Sequence, residues 1–307
     1  MLKWSKFFLF ILLFLFLSGC NSSRRYITFK IKKVSTKKTW NWYGFNGHKY
    51  TLTYSFNKGL VVKSSSKFGV VKGQAVNFVK RYLKTFLSEL RRKGVFVIFK
   101  GNLSYVIFSS GGSDVSGYAK MVNDKINEAL EVYYSRHGLK YVVENNKNSR
   151  IEIDYKKLVY EFEPEFRDFS DALYVSIGSP GDRYKILEGI LSFVQSIKYK
   201  VPSNEVGKRE IYGLFTPWET LYYGNGDCDS KSLLFATLWV NLAPSIPFVF
   251  IEYPDKQHLN IGVKDIWGIA GDHVEYKGES YLICECAGGV YKPGENPFAN
   301  YKKVVIN

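Results

Sequence analysis

The chain has 307 residues, 46% of them hydrophobic, enough to bury one large core or two modest ones, which excludes a natively disordered chain. Its 43 Lys+Arg against 28 Asp+Glu give a formal net charge of +15, a balance that favours anionic surfaces such as phospholipid, a teichoic-type polymer or nucleic acid. The basic residues are spread along the chain without a recognisable nucleic-acid motif, so no nucleic-acid partner is expected.

The N-terminus begins with the basic "MLKWSK", and "FFLFILLFLFL", residues 7–17, is an unbroken apolar run. That run has the length of a signal-peptide core and falls short of the roughly 20 apolar residues of a spanning helix. "LSGC", residues 17–20, follows and resembles the lipobox of bacterial lipoproteins, in which small residues precede a lipid-bearing cysteine. The resemblance implies a lipoprotein signal peptide over 1–19, acyl chains on Cys20, and "NSSRR" as a tether. The mature protein would then sit on the cell membrane, facing away from the cytoplasm; several acyl chains anchor stably where one does not. Export leaves Cys228, Cys284 and Cys286, an odd number, so at least one thiol is unpaired within the chain.

Residues 26–72 read as strands and turns, with "YITFKIKKV" and, after the turn "GFNGH", "HKYTLTYSF" alternating. Residues 74–92 read as one amphipathic helix with Val76, Val79, Leu83, Phe86, Leu87 and Leu90 at helical spacing. "VFVIFK" and "SYVIFS" predict a hairpin around "GN". A helix over about 117–136 places Met121, Val122, Ile126, Leu130 and Tyr133 on one face. The polar "VENNKNSR" marks a boundary between an N-terminal β/α region over 20–145 and a second domain over 150–307. There "DRYKILEGILSFVQSIKY" reads as a helix, and "PFVFIEY", "HLNIGVKDI", "DHVEY" and "SYLICECA" as strands. Helices followed by antiparallel strands predict an α+β fold.

One stretch carries chemistry: "YYGNGDCDSKSLLFATLW", residues 222–239. Gly224 and Gly226 permit a turn before Cys228, Asp227 is a plausible N-cap, and an apolar helix follows. Cys228 then sits in the first helical turn, where unpaired N–H groups and the helix dipole favour a thiolate. Asp227 and Asp229 read as helix-start residues rather than catalytic ones. A thiol nucleophile needs a base. His48 and His137 read as surface residues. His258 opens a half-buried strand on the same face as Asn260 and Gly262, whereas His273, beside the turn "YKGES", is its rival. Glu285 lies inside the apolar "YLICECAG", where a carboxylate needs a partner, which makes it the best candidate to orient the imidazole. Cys284 and Cys286 read either as two small packed side chains or, with Cys228 or His258, as a metal set; packing is the expected reading, and no metal or cofactor is assigned.

The blocks "FVQSIKY", "TPWETLYYGNGDCDSKSLLFATLW", "HLNIGV" and "YLICECAGGVYKPGE", in that order, resemble the transglutaminase-like superfamily of cysteine enzymes in its bacterial and archaeal peptidase-like branch. The clear match covers about 185–298, and "WNWYGFNGHKYTLTYSF" is similar to an extracytoplasmic segment found beside such domains. The resemblance implies a papain/transglutaminase-like core, a helix bearing the cysteine packed on an antiparallel sheet. By position it implies Cys228 as nucleophile, His258 as base and Glu285 as orienting acid. Gln195 in "FVQS" resembles an upstream glutamine of that branch and is an oxyanion-donor candidate, with a solvated helix residue as the alternative. The chain departs from many relatives in having Glu where they have Asp, and in the cysteines on either side of it. The expected function is amide or peptide hydrolysis on a surface protein or cell-wall peptide. Transamidation by the same triad, or a binding scaffold with an idle triad, are the alternatives.

Overall fold

The alternation of "STKKTWNWY" and "KYTLTYSFN" folds into a nine-residue antiparallel hairpin, β1 (Ser35–Tyr43) with β2 (Lys49–Asn57), which puts Trp40, Trp42, Leu52 and Phe56 on its buried side. The computed structural model describes residues 35–112, 114–145 and 148–306, which belong to one compact unit, Val34–Asn307. The signal peptide, Cys20 and the strand expected at 26–34 lie outside the described residues.

After the hairpin come α1 (Lys58–Ser65), β3 (Val70–Val71), α2 (Gln74–Tyr82), α3 (Lys84–Arg92), β4 (Val95–Phe99), β5 (Tyr105–Ser109) and α4 (Ser116–Ser135). Then follow β6 (Leu139–Asn145), β7 (Asn148–Ile153), α5 (Tyr155–Ile177), α6 (Arg183–Ser196), β8 (Lys198–Tyr199), β9 (Glu205–Val206) and β10 (Arg209–Glu210). The last part holds α7 (Pro217–Tyr223), β11 (Asn225–Gly226), α8 (Cys228–Leu242), β12 (Phe248–Tyr253), β13 (His258–Lys264), β14 (His273–Tyr276), β15 (Glu279–Cys284) and β16 (Val304–Ile306). The fold is mixed α+β with a curled antiparallel sheet.

That sheet has five strands in the order β14-β15-β13-β12-β16, every pair antiparallel. Side chains alternate between its faces. Phe250, Leu259, Ile261, Val263, Leu282 and Cys284 join the main core with α8, whereas Val249, Ile251, Tyr253, Tyr281 and Ile283 form a smaller cluster. The main core also takes in Trp40, Phe56, Phe162, Phe166, Phe169, Phe193 and Trp218, so the β1–β2 hairpin is built into the layer that carries α8. Trp218 packs 4.2 Å from Phe166 and 5.5 Å from Phe56, centroid to centroid. A second core lies between α2, α3, α4 and the β4–β5 hairpin, around Val79, Leu83, Leu90, Val122, Ile126 and Leu130.

Three details differ from the sequence reading. The helix expected over 74–92 is two helices that meet at Leu83, whose φ of −79° and ψ of −6° leave the regular helix. Met121 points outward at 45% exposure, and Ala129 takes a buried place on the inner face of α4. The polar "VENNKNSR" falls within the β6–β7 hairpin rather than a linker. The long helix α5, which packs against α8, has no counterpart in the sequence reading; it runs through Pro164 in its interior.

Candidate active site

Cys228 is the first residue of α8, and the chain before it is tied down on both sides. Asp227 caps the helix, its Oδ1 accepting from Ser230 N at 3.0 Å and Ser230 Oγ at 2.7 Å. Such a cap satisfies one of the orphan N–H groups of the first turn. Asn225–Gly226 pair in parallel with Lys198–Tyr199, and Lys200 N donates to Gly226 O at 3.1 Å. Gly226 is required by closeness: a Cβ there would lie 2.9 Å from Ser230 Cβ and 3.2 Å from Thr220 Cγ2.

Lys231, one turn into α8, is fully buried, and its Nζ donates to Ile197 O at 2.9 Å, Ala287 O at 3.1 Å and Gln195 O at 3.3 Å. This ammonium therefore joins the Cys228 helix to the end of α6 and to the segment after Glu285. Burial pushes its pKa down to about 8. The sequence alone puts Lys231 in the first turn of the helix. Its position three residues after Cys228 and three before Leu234, on the buried side, was the available signal.

His258 opens β13 just after Gln257, a non-glycine residue at φ +48°. Its Nε2 lies 2.7 Å from Glu285 Oε2 and 3.0 Å from Asn260 Oδ1. Both partners are acceptors, so the network assigns the proton to Nε2 and leaves Nδ1 as the basic atom. The ring packs on Phe298 at 4.3 Å between centroids. Glu285 is 1% exposed, and its Oε1 accepts from Ala287 N at 2.6 Å and Gly288 N at 3.2 Å. It lies just past the end of β15 rather than inside the strand. That position allows its carboxylate to take backbone N–H groups from the following turn, which answers the desolvation cost that a mid-strand carboxylate would carry.

The rival histidine is engaged elsewhere: His273 Nε2 is 3.1 Å from Asp265 Oδ2 and Nδ1 is 2.9 Å from Gly271 O. The oxyanion assignment for Gln195 needs correction. Its Nε2 donates to Glu285 O at 2.7 Å and Tyr291 O at 2.8 Å, which uses both amide hydrogens. Gln195 holds the backbone of Glu285 in place and has no N–H to offer a substrate.

The Cys228 thiol is 5% exposed and donates to Asp229 Oδ1 at 3.4 Å, beside the backbone N–H of Leu259. Among the described residues it makes no hydrogen bond to the His258 ring. Burial, then the Asp229 carboxylate, push its pKa up. The helix start alone therefore does not deliver a resting thiolate, contrary to the simplest sequence expectation. Burial and the neighbouring Asp227 raise Asp229 itself to about 6, while the Tyr155 hydroxyl bonds its carboxylate and His258 stands within electrostatic reach. Asp229 is thus part of the site, beyond the helix-start role read from sequence; Tyr155, Asn260 and Lys231 were missed as site residues.

A cavity of about 460 Å³ opens onto this group, with Tyr155, Asp229, Glu252, Gln257, His258 and Leu259 in its wall. Cys228, Cys284 and Cys286 are free thiols, and the last two are completely buried. Among the described residues no cluster of three or more His, Cys, Asp or Glu side chains is arranged to hold a metal ion. No family model, curated protein or solved structure matches the chain.

Proposed function

We propose that the chain is a thiol acyl-transfer enzyme of transglutaminase-like type, which hydrolyses amide or peptide bonds with Cys228, His258 and Glu285. The observation that carries this reading is the His258–Glu285 contact of 2.7 Å beside a helix that begins at Cys228. A partly exposed imidazole held through Nε2 by a buried carboxylate is the arrangement a thiol nucleophile needs. The papain/transglutaminase-like core is part of the same proposal, supported by α8 packing on β13 of the antiparallel sheet.

In this mechanism the thiol turns from Asp229 to His258 and gives its proton to Nδ1. The sulfur attacks the substrate carbonyl carbon, and the carbonyl π electrons move to oxygen. The Cys228 backbone N–H, free of an intrahelical partner by its place in the first turn, faces that oxyanion. Collapse breaks the C–N bond, the leaving amine takes the proton from Nδ1, and a thioester remains on Cys228. Water gives a proton to Nδ1 and its hydroxide adds to the thioester; the acid departs and the thiol re-forms. An amine in place of water gives transamidation. Throughout, Glu285 and Asn260 keep the Nε2 proton in place and Glu285 balances the imidazolium charge.

The reading extends to location: Cys20 bears lipid, the enzyme faces outward from the cell membrane, and its substrate is a surface protein or cell-wall peptide. The sequence blocks around residues 17–20 support this.

A scaffold with an idle triad is the second reading, favoured by the thiol's 5% exposure and by its hydrogen bond to Asp229 instead of His258. Intact-mass analysis after exposure to p-nitrophenyl acetate separates the two. The enzyme reading expects an acetyl adduct of about 42 Da, the thioester of covalent catalysis, that is absent in Cys228→Ala. No adduct on the wild-type chain sinks it.

A further inference from the structure

The β4–β5 hairpin has one buried face and one exposed face, and both are apolar. Val95, Val97, Phe99, Tyr105 and Ile107 pack into the second core. The opposite face carries two cross-strand pairs, Phe96 with Phe108 and Ile98 with Val106. The two phenyl rings stack at 5.3 Å and 13°. Ile98, Val106 and Phe108 are 54%, 41% and 44% exposed. An antiparallel ribbon with one face on a core ordinarily turns polar side chains to water. Here all four outward positions of the paired strands are apolar, which marks a surface that is covered in use.

The rim says by what. Arg91, Arg92 and Lys93 lead into β4 at one end, all exposed. At the other end Lys80 reaches Gly101 O at 3.4 Å, beside the exposed Lys100. Between residues 80 and 110 there are seven Lys or Arg (80, 81, 84, 91, 92, 93 and 100) against one acid, Glu89. A protein partner would need an acidic rim around an apolar centre. An anionic bilayer surface offers phosphate charge above acyl chains over any area, which is the complement of this face.

We infer that the outer face of the β4–β5 hairpin docks on anionic phospholipid: Phe96, Ile98, Val106 and Phe108 enter the headgroup–acyl boundary and the flanking Lys and Arg side chains meet phosphates. Among the described residues no helix is long and apolar enough to cross a membrane. Each basic residue near the surface adds attraction that salt screens. The inference stands independently of the proposed chemistry at Cys228.

The test uses the full chain reconstituted into vesicles of phosphatidylcholine alone and of phosphatidylcholine with phosphatidylglycerol. Amide hydrogen exchange of residues 94–110 is followed by mass spectrometry. Docking predicts about tenfold slower exchange on the phosphatidylglycerol vesicles, reversed by raising salt. The slowing should vanish in Ile98→Ser/Phe108→Ser and in Lys93→Glu/Lys100→Glu, the second of which replaces no core residue. Equal exchange on the two vesicle types overturns the inference. So does slowing that follows protein density per vesicle instead of phosphatidylglycerol content, which would place a second copy of the chain on this face.

Discussion

His258 Nε2 stands between Glu285 Oε2 at 2.7 Å and Asn260 Oδ1 at 3.0 Å, two acceptors for one proton. The consequence is directional: the ring presents its lone pair at Nδ1. Glu285→Gln keeps the volume and removes the charge that balances an imidazolium. Steady-state esterase or amidase assays should show a fall of about 10²–10⁴-fold in kcat, smaller than the total loss expected for Cys228→Ala. Activity within twofold of wild type would mean that the carboxylate is structural only.

Asp229 is the unfavourable neighbour of the thiol, and replacing it should help in two ways. Its folded pKa of about 6 lies above its ordinary value of 3.8. The protonated form is thus favoured on folding. That contribution is fully present below about pH 4 and is lost as pH rises through 6. Asp229→Asn, which can still accept from Tyr155, should stabilise the protein at pH 8 by roughly 2–3 kcal/mol at most, and hardly at pH 4. The same change removes a negative charge from beside the sulfur, so Cys228 should alkylate faster above pH 6. Urea melts at both pH values and alkylation rates check this; slower alkylation at pH 8 would contradict the placement of the charge.

Lys231 should matter more to the site than its position inside a helix suggests. Three backbone carbonyls depend on its ammonium. Lys231→Met fits the volume and leaves all three without a donor, which should cost about 2–4 kcal/mol in chemical denaturation at pH 7. The sign of the pH effect is set by the lowered pKa of about 8. Folding disfavours the charged form, so wild-type stability has a penalty below pH 8 that disappears as pH rises toward 10.5. The difference between wild type and Lys231→Met should change across that window. A cost under about 1 kcal/mol would show that the carbonyls find other donors.

The helix start at Cys228 was legible because "GNGDC" carries its own punctuation: Gly226 for close approach and Asp227 as cap. His258 was legible from strand alternation, and Glu285 from the oddity of a carboxylate among apolar residues. The five-stranded sheet followed from four alternating runs, and β16 at the C-terminus was missed. What could not be read depends on long-range contacts. Gln195 serves two carbonyls 90 and 96 residues away. Lys231 looks like any surface lysine until its carbonyl partners are in place. Helix α5 hides because Pro164 and a scatter of acidic residues blur its period, although Phe162, Phe166, Phe169 and Leu173 keep one face buried. The pKa of Cys228 was misjudged because helix-terminus electrostatics act within a turn, and desolvation and Asp229 act there too.

The most direct test of the proposed chemistry is the alkylation rate of Cys228 by iodoacetamide at pH 7.5, read by mass spectrometry in wild type and His258→Ala. Peptide mapping places the adduct on Cys228, apart from Cys20 and from the completely buried Cys284 and Cys286. If His258 accepts the thiol proton, the wild-type rate should exceed that of His258→Ala by at least about tenfold, the scale of activation by an adjacent base. Equal rates in the two proteins would contradict the account, because the imidazole would then have no hold on the sulfur.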